Sequence, residues 1–206
     1  MTRYLVDRRL VARSFAVTFD YLCPFARNAF ESVRSGLDAG RDWDVRFVPF
    51  SLSQAHVPEG DAHAWDRQPG DKYTSGVLAL QWGLAVRDHF PDRFWDFHVA
   101  AFAARHDEAR NIKDEAVLRD VAAFAGLNPD DVAAVVASGE PRTVLIDEHT
   151  DAVERWKVFG VPTFIDGDEA VFVRLMERKR PEDVDQVLTL LGATRLNEFK
   201  RTSIPR

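Results

Sequence analysis

Within its first fifty residues the chain spells out a strand, a helix and a second strand. Residues 14–22, SFAVTFDYL, alternate Phe15, Val17 and Phe19 with small or polar residues and then turn apolar, a pattern rich in strand formers. PFARNAFESVRSGLDAG follows, with Pro24 where a helix begins and a missing N–H leaves no bond unmade. Phe25, Ala29, Val33 and Leu37 recur every four residues as an apolar stripe, and Gly36 and Gly40 mark the stop. Residues 43–52, WDVRFVPFSL, alternate again through Trp43, Val45, Phe47 and Pro49. Two strands joined by one helix pair in parallel through a right-handed crossover, which commits the chain to an α/β layout.

Residues 53–71 turn polar and read as a loop. A run of helices follows: KYTSGVLALQWGLAVRDHF, broken by Pro91, then DRFWDFHVAAFAARHDEA, KDEAVLRDVAAFAG and NPDDVAAVVASG. Asn128 is the expected N-cap of the last, ahead of Pro129, with Asp130 and Asp131 in its first turn. A further helix, PRTVLIDEHTDAVERWKVFG, leads into VPTFIDGDEAVFV, a hairpin turning at Asp166-Gly167-Asp168. RPEDVDQVLTLLGA closes as a helix with Pro181 near its start. The order β-α-β, helical block, α-β-β-α describes a single domain over residues 1–206, with a helical insertion from about 62 to 138.

The 206 residues are 46% hydrophobic, with 15 Phe and 5 Trp, enough for one buried core. A net charge of −6 argues against non-specific binding to nucleic acid, which needs a basic face. The one basic cluster, Arg174, Arg178, Lys179 and Arg180, is interrupted by Glu177 and reads as a solvated helix end. No stretch approaches a membrane span, and MTRYLVDRRLVARSF is charged too often to be a signal-peptide core. One cysteine forms no internal disulfide, which fits a reducing cytoplasm.

That cysteine, Cys23, stands between the first strand and the first helix. A thiol in the first turn of a helix meets N–H groups without backbone acceptors at the positive end of the dipole, which lowers its pKa and favours the thiolate. A buried, inert cysteine is the other reading of the same position. Val161-Pro162, between a helix and a strand in FGVPTF, is an X-Pro bond placed where a cis isomer recurs.

Taken together, FDYLCPFA, FGVPTF and the helical block between the two halves resemble the thioredoxin fold in its DsbA-like branch, over nearly the whole chain. Those same residues resemble the cytoplasmic actinobacterial oxidoreductases of that branch, and LNEFKRT at 196–202 is similar to its mycothiol-dependent reductases. The resemblance implies Cys23 as the attacking thiolate, Pro24 and Phe25 as the dipeptide that tunes it, and Val161-Pro162 as the loop that binds substrate. The departure is Ala26, where dithiol members place a resolving cysteine. The expectation is therefore a monothiol oxidoreductase with no tightly bound cofactor, in which a low-molecular-weight thiol such as mycothiol or glutathione resolves Cys23. Its partners are that thiol and an oxidised or electrophilic substrate, and apolar helices of the insertion are compatible with a homodimer.

Two alternatives stand beside it. The same branch includes kappa-class glutathione transferases and 2-hydroxychromene-2-carboxylate isomerases, which use one Ser or Cys at this place and need an apolar cleft beside it. A non-catalytic thioredoxin-fold binding module would keep Cys23 buried and slow to alkylate. Asp20 is a candidate proton relay, or an ordinary carboxylate at a strand end. Trp82, Phe90, Phe94, Trp95, Phe97 and Phe102 are expected in the core. His98 and His106, two helical turns apart, lack a third partner, and no metal site is expected.

Overall fold

In a computed structural model, which describes residues 12–201, the first strand, β1 (Arg13–Phe19), lies inside a four-stranded sheet. Most of the charged N-terminal stretch, residues 1–11, and the end of the chain from residue 202 lie outside the described residues. β1 pairs in parallel with β2 (Trp43–Pro49) and antiparallel with β3 (Thr163–Asp166); β3 and β4 (Glu169–Phe172) form the hairpin, and the order is β2-β1-β3-β4. The mixed α/β class and the parallel β-α-β opening expected from the alternation are what the chain adopts. A strand interior to a sheet is covered on both faces, and Thr18 is buried along with Phe15, Val17 and Phe19. Its hydroxyl is not wasted there: it accepts the Thr163 N–H at 2.8 Å.

Between β1 and β2 runs α1 (Pro24–Asp38), which packs on α8 (Pro181–Leu191). Its buried face is centred on Ala26, Ala29, Phe30 and Val33, one step round from the expected stripe, so Phe25 is left half-buried at the rim. The stretch expected as loop contains a single turn of helix, α2 (Leu52–Ala55), capped by the Ser51 hydroxyl, which accepts from Gln54 N, and a 3-10 turn at Ala64–Asp66. Its composition hid a cap that closes one turn.

After α2, five longer helices precede β3: α3 (Val77–His89), α4 (Phe94–His106), α5 (Glu115–Phe124), α6 (Pro129–Ala137) and α7 (Glu140–Trp156). Asn128 caps α6 as expected, its side chain accepting from Asp130 N. α3 packs against α4, α6 and α7. Arg87 on α3 ties this block to the sheet, donating to the Phe47 carbonyl of β2 at 2.9 Å and to Glu148 of α7 at 2.8 Å. Among the described residues no helix is long and apolar enough to cross a membrane.

Two joints hold the segment between β1 and α1. Asp20 is fully buried, and its carboxylate accepts Leu22 N and Leu52 N, both at 2.8 Å, so one side chain fixes the turn after β1 and the start of α2. Burial pushes its pKa up to about 6, against the pull of those two N–H groups. Tyr21 is also fully buried: its hydroxyl meets His98 Nδ1 at 2.6 Å and its carbonyl accepts His106 Nε2 at 2.9 Å. Gly83 on α3 makes the room, since a Cβ there would overlap the Tyr21 hydroxyl.

Gly83→Ala is therefore expected to destabilise the fold by about 1–3 kcal/mol. Tyr21→Phe, which removes the obstructing hydroxyl, should recover part of that loss in the double variant, measured by urea unfolding as a non-additive cycle. Asp20 carries a pH signature. Its folded pKa lies above the ordinary value near 4, so the folded state holds the proton longer and the stability it contributes is lost as pH rises from about 4 to 6. The loss is on the order of 3 kcal/mol. His149, held down to about 4 by burial, slopes the other way between about 6.5 and 4. Because His149 is present in both proteins, wild type minus Asp20→Asn isolates the Asp20 slope in unfolding titrations at pH 4, 5, 6 and 7. A difference that stays flat across that range would refute the buried, protonated Asp20.

Candidate active site

Cys23 is the N-cap residue of α1, in extended conformation, with Pro24 at the first helical position. Its N–H donates to the Asp20 carbonyl at 3.0 Å and its carbonyl accepts Arg27 N at 3.2 Å, so the backbone around the thiol is fixed on both sides. The thiol donates to the Val161 carbonyl at 3.3 Å. The Val161–Pro162 peptide bond is cis. Two bonds pin this loop: Thr163 Oγ1 donates to the Gly160 carbonyl at 2.8 Å, and Val173 N donates to the Pro162 carbonyl at 3.1 Å. Residues nearly 140 positions apart in sequence thus share one site.

The expected activation of the thiol does not appear in its resting environment. Cys23 is 8% exposed, and burial pushes its pKa above the ordinary thiol value. The helix start acts as anticipated: the N–H groups of Ala26 and Phe25 pull the pKa down. They are outweighed by desolvation, and the nearby Asp20 charge adds to the rise while Arg174 opposes it. The bond to Val161 points the same way, because only the protonated thiol can donate to a carbonyl. The expectation of a lowered pKa counted the dipole and missed the burial.

The other expected site residues divide. Val161 and Pro162 are buried against the thiol, Phe25 is half-buried at the rim, and Pro24 is exposed. Ala26 is 2% exposed, on the core side of the helix. Asp20 lies near enough for its charge to reach the sulfur, yet both its oxygens hold backbone N–H groups. Its geometry is that of a positioning residue. His98 and His106, weighed above as metal ligands, both hold Tyr21 instead. His98 is enclosed by Phe19, Phe30, Phe94 and Phe102, and that burial drives its pKa well below the ordinary value.

Two features escaped the sequence. The basic cluster is solvated and reaches a helix end only at Arg180, the N-cap of α8; the rest lies in the connection from β4, where Arg174 stacks over the Phe25 ring at 5.6 Å. Beneath it, Arg27 is buried with Glu31 at 2.8 Å and forms a two-pronged pair with Asp107, joined by Arg178 at 3.5 Å from Glu31. The spacing of Arg27 and Glu31, four apart on one helix, was the available signal. Two cavities of about 420 and 340 Å³ lie elsewhere, one beside Trp95 and Phe124, the other between Asp44 and Arg46 of β2 and Glu148 of α7; neither is lined by Cys23, Phe25 or Pro162.

Comparison with known proteins fits this geometry. The Bacillus subtilis (strain 168) protein YwbO, itself uncharacterized, is 26% identical over 178 residues, covering 74% of this chain and 86% of its own. The fold superposes on DsbA of Pseudomonas aeruginosa with a TM-score of 0.59 at 19% identity, covering 89% of this chain and 85% of that one. It superposes on a 2-hydroxychromene-2-carboxylate isomerase with a TM-score of 0.61 at 16% identity, covering 88% and 97%. The family model for the DSBA-like thioredoxin domain matches residues 85–196, a span that begins after Cys23 and includes the Val161–Pro162 loop. With the match covering more than half of its length, the chain belongs to the DSBA-like thioredoxin domain family.

Proposed function

We propose that this chain is a monothiol oxidoreductase that exchanges Cys23 with small disulfides. The observation that carries the reading is the 3.3 Å contact from the Cys23 thiol at the start of α1 to the Val161 carbonyl. In the cycle, Cys23 Sγ attacks one sulfur of a disulfide RSSR; a bond forms between Cys23 and SR, the S–S bond breaks, and the departing sulfur takes up the proton Cys23 gives up, leaving as RSH. With Ala26 in place of a resolving thiol, a second small thiol R′SH attacks the mixed disulfide, giving RSSR′ and restoring the Cys23 thiol. No electrons are gained or lost overall. Mycothiol or glutathione would supply R′SH, in a reducing cytoplasm and without a tightly bound cofactor. The domain would span residues 1–206, with the helices between about 62 and 138 roofing the site.

A specific observation favours a second reading. The 8% exposure of Cys23 and its raised pKa are what a binding module that has retired its thiol would show. The transferase or isomerase reading needs an apolar cleft beside the thiol, whereas the two cavities described above lie elsewhere.

Alkylation of native protein by iodoacetamide across pH, with Cys23→Ser as the blank, reads the state of the thiol, and mixed-disulfide formation separates the readings. Free thiols are only a few per cent thiolate at pH 7, and a raised pKa leaves Cys23 with less. Its rate should therefore be below that of free cysteine at pH 7 and climb about tenfold per pH unit, with a midpoint above about 8.5. Under the oxidoreductase reading, the same protein at pH 8–9 forms a mixed disulfide with oxidised glutathione or oxidised mycothiol, seen as one adduct by mass spectrometry and released by the free thiol. No adduct from folded protein, with ready reaction after denaturation, would instead establish the binding module.

A further inference from the structure

The basic cluster after β4 is divided by its partners. Arg178 reaches Glu31 at 3.5 Å and Asp107 at 3.9 Å; Arg180 reaches Glu177 at 3.9 Å and Glu182 at 3.8 Å. Arg174 is exposed and, among the described residues, has no carboxylate within 4 Å. Its position is nevertheless set. Val173, the residue before it, donates its N–H to the Pro162 carbonyl, which ties the start of this segment to the loop that receives the Cys23 thiol. Its guanidinium lies over two rings, Phe25 at 5.6 Å and Phe172 at 5.9 Å. Phe172 in turn meets Phe159, 73% exposed, at 5.1 Å. Gly160 allows that approach, since a Cβ there would stand 3.1 Å from the Phe172 ring.

An arginine steadied by aromatic faces and not engaged by a protein carboxylate keeps its planar fork of donors for a ligand. The half-buried rings of Phe25 and Phe172 beside it, continued by the exposed Phe159, supply an apolar bed, and such patches mark binding sites more often than bare surface. We propose that Arg174, with Phe25 and Phe172, is the recognition site for a carboxylate on the small molecule that reacts at Cys23. The ligand class is a carboxylate-bearing thiol, disulfide or electrophile with an apolar portion. The inference deepens the oxidoreductase reading and rests on it for its biological meaning. In a chain of net charge −6, a cation here with no carboxylate partner among the described residues singles out anions that the rest of the surface repels. The charge of Arg174 is also felt at the sulfur, where it favours the thiolate.

Two alkylating reagents of similar size test this, iodoacetate with a carboxylate and iodoacetamide without one. Each forms the same S–CH₂ bond at Cys23, expels iodide and releases the thiol proton to solvent. The same thiolate attacks both, so the ratio of their rates cancels any change in Cys23 pKa. The wild-type ratio of iodoacetate to iodoacetamide should exceed that of the urea-unfolded chain by about tenfold, the factor of one modest charge-assisted interaction. Arg174→Ala should return it to the unfolded ratio, Arg174→Glu should take it lower, and Arg174→Lys should keep part of the preference. Equal ratios in wild type and Arg174→Ala overturn the assignment.

A second measurement needs no reaction. In an NMR titration, benzoate should shift the amide signals of Phe25, Phe172 and Arg174, benzamide should not, and Arg174→Ala should lose the benzoate response. Benzoate and benzamide acting alike would overturn the carboxylate site. Inertness of native Cys23 to both alkylating reagents would sink the oxidoreductase reading, and the titration would still decide on Arg174.

Discussion

Asp20, Tyr21 and Cys23 are each held by a part of the chain remote in sequence, and the site depends on all three. Asp20 reaches Leu52 at the start of α2, Tyr21 is gripped by two histidines of α4, and Cys23 meets the loop before β3. The short segment from β1 to α1 is therefore the place where the sheet, the helical block and the second half of the fold meet. A loop with partners on three sides has few conformations left to lose, so the sulfur keeps its position without a ligand. The arrangement uses buried polar groups that stabilise only while every bond is made: losing one partner strands the other in a medium that solvates it poorly. That is why Gly83, which touches neither the thiol nor the loop at 161–162, still belongs to the story of the site.

The thiol itself is a contest between two effects of the same placement. Standing at the N-cap of α1 exposes it to unpaired N–H groups, and standing under the 161–162 loop removes it from water. The first stabilises a negative sulfur locally, by a field that fades within a turn; the second penalises any charge there. Here the second is larger, and the Asp20 carboxylate adds to it. The Arg174 cation works against both. A bound anion that engaged Arg174 would weaken that help, whereas a bound disulfide that displaced the Val161 carbonyl from the thiol would remove a bond favouring the protonated form. Reactivity in the proposed cycle is thus set by what enters, more than by the empty site.

Much of the fold was legible because it is written locally. The alternation of Phe15, Val17 and Phe19, the Pro24 start, the Asn128 cap and the turn at Gly167 are each decided by neighbours within a few residues, and each formed where expected. The approach of Cys23 to Val161-Pro162 came instead from a resemblance across the whole chain, since no local rule links positions so far apart. What the sequence withheld is non-local. α2 was hidden in polar composition and exists because Ser51 caps it while Asp20 holds Leu52. The burial of Asp20 could not be counted from a strand end, and position alone left Cys23 between an activated thiolate and a buried thiol. Arg174 looked like one of four surface cations, and only its partners tell it apart from Arg178 and Arg180.

Ala26 sharpens the chemical consequence. At 2% exposure it faces the core three residues beyond Cys23, one turn along α1, where a resolving thiol would approach from inside the protein. With a methyl group there, the chain supplies no second thiol from within, and in the proposed cycle attack and release would use one opening. The side chains around that opening, Phe25 on α1 and Arg174 beyond β4, would then meet the disulfide on its way in and the resolving thiol after it. In a dithiol enzyme the second step is intramolecular and indifferent to such a rim. In a monothiol site the rim acts twice per turnover, so any preference it has for a carboxylate bears on both half-reactions.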